Sequence, residues 1–348
     1  MKEINVLGVG NALVDKQFLI EDDILKEISI EKGTMGLCDS ESQNVFYKKL
    51  SENYKKSEDA CGGSATNTIF ALASLGSKCG FFGKVANDEN GSFYKKDLED
   101  VGIINDVISN DKGDTGTCLI MISEDAERTM STCLGISANL KPSDIDEDLI
   151  EKSEIIYLEG YLVSSDECNL TSKKIIEVGR SKEAKIAISL SDPNIVNAFR
   201  ERLLDWLKEP IDYLFCNFEE AKAFCKTNDE ELIKSSLLKF AQNIFITKGS
   251  EGALIFDHKS SCEVGGFAAN AIDSNGAGDM FAGGALYLLA KGQNPEKAAK
   301  FGCFLASKGV ENIGPRLERK KYLEIYELFC KLDSVSYTHL RAHETSLH

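Results

Sequence analysis

Residues 273–281 read Asp-Ser-Asn-Gly-Ala-Gly-Asp-Met-Phe, and this stretch decides how the rest of the chain is interpreted. It follows a strand-like segment, residues 266–272, and opens a run of small residues, 279–291, that predicts a helix. Small residues let the backbone approach a ligand closely and turn several N–H groups toward one point, where they join the positive end of the helix dipole. The pattern therefore predicts an anion hole. Its predicted members are Gly276, Ala277 and Gly278.

Asp279 follows this anion hole directly. Transfer of a phosphoryl group depends mostly on positioning and charge stabilisation, which an anion hole supplies. A carboxylate at Asp279 could accept the proton of an alcohol that attacks the phosphorus. The alternative is a glycine-rich turn into a helix that has an acidic residue in its first turn.

Length and composition limit the class of protein. A chain of 348 residues is long enough for one large domain and a smaller one, and 43% hydrophobic with 28% charged residues is ordinary for a globular protein. The formal net charge of −16 argues against nucleic acid or an anionic membrane surface as a partner. No signal peptide precedes Ile4 and no apolar run has membrane-spanning length, so we expect a cytoplasmic protein.

The eleven cysteines are scattered, with no Cys-x-x-Cys pair and no nearby histidine. This usage predicts reduced thiols in the core and argues against a zinc site or a disulfide framework.

The end of the chain differs in composition from the rest. Residues 334–348 hold three of the four histidines, lack apolar periodicity and follow a helical pattern at residues 320–332. We expect this stretch to be a non-native or disordered tail without chemistry.

Strand-like apolar runs alternate with helical patterns over most of the chain. This alternation predicts an α/β fold, a doubly wound and mostly parallel sheet with helices on both faces, whose ligands gather outside the carboxyl ends of the strands. The strand-like runs are 4–9, 79–85, 155–158, 186–190, 213–216, 244–247 and 253–257, and the helical patterns are 66–75, 93–101, 172–179 and 218–225.

Residues 11–39 and 103–135 break this alternation with short β-like runs. Although they are distant in sequence, the two segments could pair into one small sheet and form a lid over the site. The large domain would then comprise residues 1–10, 40–102 and 136–333.

A glycine pair, Gly8 and Gly10, follows the first strand. It resembles the start of a dinucleotide fingerprint, but Leu13 stands at the third glycine position, so we reject an oxidoreductase. The following residues, from Asn11 to Asp15, place a carboxylate that could accept two hydrogen bonds from vicinal hydroxyls. An aspartate in a turn is the alternative.

Three further motifs lie at the start of predicted helices or at the end of predicted strands. Paired glycines, Gly62 and Gly63, precede a helix. Ser64 and Asn67 could cap this helix or reach outward to a hydroxyl. Residues 217–220, Asn-Phe-Glu-Glu, follow a strand and could equally be an ordinary helix cap. Residues 247–252, Thr-Lys-Gly-Ser-Glu-Gly, close another strand and could equally be a plain turn.

With these motifs in this order, residues 4 to 316 resemble the ribokinase-like (PfkB) family of carbohydrate and nucleoside kinases. That family uses ATP, and its lid is built from two insertions such as those above. It has threonine where this chain has Ser274, which keeps the hydroxyl. The resemblance implies Asp279 as the base, with Asn217 and Glu220 ordering Mg²⁺ through water. It implies a substrate site at Asn11, Asp15, Gly62, Gly63 and Asn67, and an ATP site at Asn217, Glu220, Thr247, Gly249, Gly252, Asn275 and Ser307.

Within the family, the segments 127–135, 157–162 and 190–193 are similar to bacterial adenosine-kinase-like proteins. The resemblance suggests that Tyr161 stacks on a purine, although this residue could equally pack in the hydrophobic core. Arg128 would swing onto the phosphates, or else form a surface ion pair. The apolar residues expected to flank the purine are Leu13 and Met35.

The sequence therefore predicts a kinase that transfers phosphate from ATP, with Mg²⁺, to the 5′-hydroxyl of a nucleoside, with adenosine favoured. A sugar kinase acting on ribose, fructose or a related compound is the alternative, and a non-catalytic nucleoside-binding protein is a further one. We expect a small-molecule substrate as the partner and a monomer or homodimer.

Overall fold

The structure, a computed structural model, describes residues 2–57, 59–105, 107–109, 111–125 and 127–344, with side chains as far as residue 334. Within these residues the strands are β1 (Ile4–Val9), β2 (Leu13–Leu19), β3 (Met35–Leu37), β4 (Ala60–Gly62), β5 (Cys79–Phe82), β6 (Val85–Ala86), β7 (Ile104–Asn105), β8 (Ile108–Ser109), β9 (Thr115–Ile122), β10 (Arg128–Gly135), β11 (Ser153–Glu159), β12 (Lys185–Ser189), β13 (Ile211–Asn217), β14 (Ala241–Thr247), β15 (Gly252–Phe256) and β16 (Ser261–Gly265). The helices are α1 (Asp23–Glu27), α2 (Ser40–Asn53), α3 (Ser64–Ser74), α4 (Glu89–Asp100), α5 (Glu147–Glu151), α6 (Asp166–Ser181), α7 (Pro193–Trp206), α8 (Phe218–Cys225), α9 (Glu230–Leu237), α10 (Ala277–Ala290), α11 (Pro295–Gly309) and α12 (Arg319–Glu344).

The larger sheet has the strand order β16-β15-β14-β13-β12-β11-β1-β5-β7. From β14 to β7 neighbouring strands pair in parallel, and β15 and β16 are added antiparallel at one edge. Parallel strands need crossover connections, which the intervening helices provide. The predicted α/β class and mostly parallel sheet are confirmed.

Helices cover both faces of this sheet, and the side chains of each strand alternate between two apolar layers. On β13, Tyr213 and Phe215 belong to the layer formed with α3, α10, α11 and α12. Their neighbours Leu214 and Cys216 belong to the opposite layer, formed with α6, α7, α8 and α9. Both faces are therefore buried, which explains why the strands read as continuous apolar runs.

The smaller sheet, named here the lid sheet, has the strand order β3-β10-β9-β2-β4. β9 and β10 form an antiparallel hairpin, and β2 lies parallel to β9, so strands from residues 11–39 and 103–135 pair with each other. One face packs Phe18, Leu119 and Met121 against α1 and α2 in a separate apolar cluster. The opposite face of the lid sheet is turned toward the carboxyl ends of the large sheet.

The two sheets do not divide the chain at the predicted boundaries. β4 and α2 lie in the segment expected in the large domain, yet β4 pairs with β2 and α2 buries Leu50 in the cluster under the lid sheet. β7 lies in the segment expected in the lid, yet it pairs with β5 of the large sheet. A strand of two or three residues forms only by pairing with a strand that is distant in sequence, so its own residues do not indicate which sheet it joins.

Two element predictions near the end of the chain differ from the structure. The strand expected at residues 266–272 is wrong, because β16 ends at Gly265 and an irregular segment leads to α10. The backbone of residues 334–344 continues α12, so the helix does not end at residue 332. The non-native origin of this tail stays a prediction.

All eleven cysteines are free thiols, and most of them are buried. Among the described residues, no helix is at once long enough and apolar enough to cross a membrane.

Candidate active site

A cavity of about 320 Å³ lies between the lid sheet and the carboxyl ends of the large sheet. Ligands of doubly wound sheets bind at this edge, because the polar termini of helices and loops meet there. The predicted site residues that line it are Asn11, Leu13, Asp15, Met35, Gly63, Asn67, Tyr161, Asn217, Glu220, Asn275, Gly276, Ala277, Gly278 and Asp279.

Asp279 stands in the first turn of α10 with both carboxylate oxygens hydrogen-bonded. Ser64 Oγ donates to Oδ1 at 2.6 Å, and Asn67 Nδ2 donates to Oδ2 at 3.0 Å. Burial raises the pKa of Asp279 to about 6, against the lowering effect of these two hydrogen bonds and of the Arg316 charge. A carboxylate with this pKa is ionised at neutral pH and can still accept a proton.

The loop before Asp279 is shaped by a left-handed residue and by one carboxylate. Gly276 has φ 73°, and a Cβ at this position would lie 2.6 Å from the Cα of Pro315. Asp273 holds the loop from outside, since its carboxylate accepts from the backbone N–H groups of Asn275 at 3.0 Å and Gly314 at 2.6 Å. Of the first-turn amides of α10, that of Ala277 donates to the Ser274 carbonyl at 3.2 Å. The amides of Gly278 and Asp279 border the cavity without intrahelical partners, as an anion hole requires.

Asp15 lies on the cavity face of β2 with only 6% of its surface exposed. No hydrogen bond from another described residue reaches its carboxylate, and the carboxylate lines the cavity. Burial raises its pKa to about 7, while the charges of Arg316 and Arg128 lower it. Gly62 on the paired strand β4 makes room for it, because a Cβ there would overlap the carboxylate.

Glu159, at the end of β11, is a third buried carboxylate beside the cavity. Its Oε1 accepts from the backbone N–H and Nδ2 of Asn11 at 2.8 and 3.0 Å, and its Oε2 accepts from the N–H of Ala65 at 2.7 Å. Burial raises its pKa to about 7. Glu159 thus ties the end of β1 to the start of α3, and positions both segments at the cavity.

Asn217 and Glu220 form a reciprocal helix cap at the start of α8. Asn217 Nδ2 donates to Glu220 Oε1 at 2.6 Å, the Asn217 N–H donates to Oε2 at 3.1 Å, and the Glu220 N–H donates to Asn217 Oδ1 at 2.8 Å. Both residues also line the cavity, and burial raises the pKa of Glu220 to about 7. Within the described part of the chain, no three His, Cys, Asp or Glu side chains cluster as ligands of a metal ion.

The lid sheet gives the cavity a mostly apolar wall. Alternate residues of each strand point inward, so β2 presents Leu13 and β9 presents Ile120. Tyr161, in a 3₁₀ turn after β11, closes the opposite side, and its hydroxyl donates to the Ser191 carbonyl at 3.4 Å. The further apolar residues of the lid-sheet wall are Met35, Leu37, Cys118, Met130 and Leu134, and Ile195 on α7 lines the cavity from the large domain.

Six predicted site residues do not line the cavity. Gly62 packs behind Asp15, and Ser307 donates its hydroxyl to the Phe304 carbonyl at 2.7 Å. Thr247 ends β14 beside Asn217 on β13, with Gly249 and Gly252 in the turn that follows. The nucleotide roles of Thr247, Gly249, Gly252 and Ser307 stay predictions.

The sixth of these residues, Arg128, forms an ion pair with Asp273 through Nη2. This pair links β10 of the lid sheet to the anion-hole loop. The predicted swing of Arg128 onto phosphates stays a prediction.

Several residues at the site were missed by sequence reasoning. Glu159 stood at a strand end, the position where functional side chains collect, and could have been noted. Ser64 was assigned only a capping or outward role. Arg316 carries no motif signal, because the segment around it has no regular element, yet its Nε donates to Asn67 at 2.8 Å.

Comparisons with known proteins bear on the family and the fold of this chain. A family model described as pfkB family carbohydrate kinase matches residues 38–321. The chain is 26% identical to adenosine kinase of Saccharomyces cerevisiae over 336 residues, covering 90% of this chain and 96% of the yeast protein. The solved structure of a probable sugar kinase from Rhizobium etli superposes with a TM-score of 0.87 at 29% identity, covering 94% of this chain and all of that one. The structure of adenosine kinase from Sinorhizobium meliloti gives 0.85 at 29% identity, covering 92% and 98%.

Proposed function

The chain belongs to the pfkB family of carbohydrate kinases, phosphotransferases with an alcohol acceptor and ATP as co-substrate, and from this premise we propose that its acceptor is the 5′-hydroxyl of a nucleoside, with adenosine preferred. The observation that carries this proposal is the Asp15 carboxylate, buried at the cavity without a hydrogen bond from another described residue. A buried carboxylate without a partner is costly, and the vicinal hydroxyls of a ribose can each donate to it.

The apolar wall supports a nucleoside over a free sugar. A nucleobase buries apolar area and can stack on Tyr161, whereas a sugar has hydroxyls on every side and would leave them without partners against Leu13, Met35 and Ile120. The similarity to the yeast and Sinorhizobium adenosine kinases points the same way.

In the proposed reaction the 5′-hydroxyl gives its proton to Asp279 as its oxygen bonds to the γ-phosphorus of ATP. The bond from that phosphorus to the bridging oxygen breaks, and ADP leaves. The amides of residues 276–279 would stabilise the charge on the transferring group, while Gly63 and Asn67 would hold the ribose beside Asp15.

Asn217 and Glu220 would hold Mg²⁺ through its water shell. Burial raises the pKa of Glu220 to about 7. A nearby cation would lower this pKa and favour the ionised carboxylate. Its oxygens already accept bonds from Asn217, which suits contact through water better than direct ligation. When bound, Mg²⁺ would neutralise phosphate charge.

The test is ADP release with a panel of adenosine, 2′-deoxyadenosine, guanosine, ribose and fructose. We expect adenosine to be the best acceptor, and loss of the 2′-hydroxyl to reduce kcat/KM by roughly 10–100-fold, since it leaves Asp15 without one partner. If ribose or fructose is the best acceptor, the nucleoside proposal is wrong and the family activity stands. The probable sugar kinase among the similar structures makes this the relevant second candidate.

A further inference from the structure

Arg316 lies in the segment between α11 and α12, with 12% of its side chain exposed. Its guanidinium makes three contacts at once. Nε donates to Asn67 Oδ1 at 2.8 Å, Nη1 donates to Asp97 Oδ2 at 2.6 Å, and the group lies over the Phe70 ring at 4.6 Å from its centroid. Three contacts on one planar group hold it in a single orientation.

The contact with Asn67 determines how that side chain faces the proposed base. A side-chain amide has one accepting oxygen and one donating NH₂ group, and a guanidinium can only donate. Arg316 therefore requires the oxygen of Asn67 on its own side. The NH₂ group is left pointing at Asp279, where it donates to Oδ2 at 3.0 Å.

We propose that Arg316 is a positioning residue for phosphoryl transfer, which fixes the Asn67 amide so that it orients the Asp279 carboxylate, and which supplies the positive charge behind this pair. This inference rests on the proposed role of Asp279 as base. It assigns a function to a residue that does not itself line the cavity.

The electrostatic surroundings of Asp279 give the charge of Arg316 its importance. The carboxylates facing Asp279 are Asp15 on β2, Glu159 at the end of β11 and Glu220 on α8. The other titratable groups facing it are the phenols of Tyr157, Tyr161 and Tyr322. Among the described residues, Arg316 is the cation whose charge lowers the pKa of Asp279, against burial that raises it.

A purely structural role for Arg316 is the competing explanation. Its contacts also join α3, through Asn67, to α4, through Asp97, so its loss could simply destabilise this corner of the fold. A structural role alone would lower the melting temperature but would leave the pH dependence of kcat unchanged. The two roles therefore differ in a measurable quantity.

The test compares Arg316→Met, Arg316→Lys and the matched control Arg319→Met, an exposed arginine whose Nη1 donates to the Asp100 carbonyl at 2.9 Å. The full chain is used, and kcat and KM for adenosine are measured from pH 5 to 8.5, with melting temperatures. For R316M we expect the acidic limb of the pH profile of kcat to move up by about one pH unit, because the charge that lowers the pKa of Asp279 is lost. We expect kcat/KM at pH 7 to fall roughly 10–100-fold. R316K should keep the acidic limb in place and lower kcat, because a lysine keeps the charge but lacks the planar guanidinium that fixes the Asn67 amide. R319M should match wild type.

An R316M enzyme that folds and keeps the wild-type limb would overturn the proposal. If R316M does not fold, R316K decides, and a wild-type kcat in that variant would overturn the proposal. Asp279→Asn is measured in parallel. Should that variant keep full activity, the proposed function fails first, whereas an inactive D279N with an unshifted R316M limb refutes the role of Arg316 alone.

Discussion

The two walls of the cavity are built in different ways. The wall from the large sheet consists of strand ends and helix starts, where Asp279, Asn67 and Glu220 carry polar groups on short motifs. The wall from the lid sheet consists of alternate residues along strands, and apart from Asp15 it is mostly apolar. We infer that the large sheet carries the transfer chemistry and the lid sheet selects the acceptor.

The largest effect should come from the wall that the large sheet forms. Asp279→Asn removes the proposed base and keeps the shape, so we expect kcat to fall roughly 10²–10⁴-fold with adenosine binding nearly unchanged. Steady-state rates and a thermal shift with adenosine measure the two quantities. Turnover near wild type would remove Asp279 from the mechanism.

On the wall from the lid sheet, Asp15→Asn should stabilise the substrate-free protein at alkaline pH. The pKa of Asp15 rises from 3.8 to about 7 on burial, so the folded state binds more protons than the unfolded state between these values. Wild-type stability is therefore lost progressively as pH rises from 3.8 to about 7, by on the order of a few kcal/mol at most.

Melting temperatures at pH 5.5 and 8.5 test this sign for Asp15. The melting temperature of the variant should exceed that of wild type by more at pH 8.5 than at pH 5.5. Asp23→Asn, an exposed change on the lid, should match the wild-type melting temperature at both pH values. An equal difference at both pH values would contradict the shift.

Glu220→Gln separates a metal role from helix capping. We expect the Mg²⁺ concentration for half-maximal rate to rise roughly 10-fold, with KM for adenosine changing less, because the proposed contact with the ion is indirect. The matched control is Glu219→Gln, an exposed neighbour that pairs with Lys222 at 2.7 Å. An unchanged Mg²⁺ titration in E220Q would leave Glu220 as a cap only.

The smallest effect should come from the aromatic residue opposite the lid sheet. Tyr161→Ala should weaken adenosine use by about 0.5–1.5 kcal/mol beyond the lost buried area, through loss of stacking. Tyr161→Phe keeps the ring and loses only a hydrogen bond of 3.4 Å, so it should stay near wild type. Equal losses in both variants would mean that the hydroxyl matters and stacking does not.

The difference between the walls also explains what the sequence could predict. Asp279 and its glycines stand in a turn whose chemistry is local, and Asn217 with Glu220 follows a strand directly, so both were predicted at the site. Lid residues such as Ile120 read as ordinary strand residues, because alternation looks the same whether it faces a core or a cavity. Arg316 reaches Asn67 across 249 positions, a contact set by the tertiary fold rather than by any local pattern.

The most direct test of the division between the walls pairs Asp15 with the hydroxyl it is proposed to bind. kcat/KM is measured for adenosine and 2′-deoxyadenosine with wild type and Asp15→Ala, as a cycle that isolates their interaction. We predict that the roughly 10–100-fold penalty for the missing hydroxyl in wild type shrinks to within about 2-fold in the variant. The same penalty in both enzymes would contradict the assignment of acceptor selection to the lid sheet.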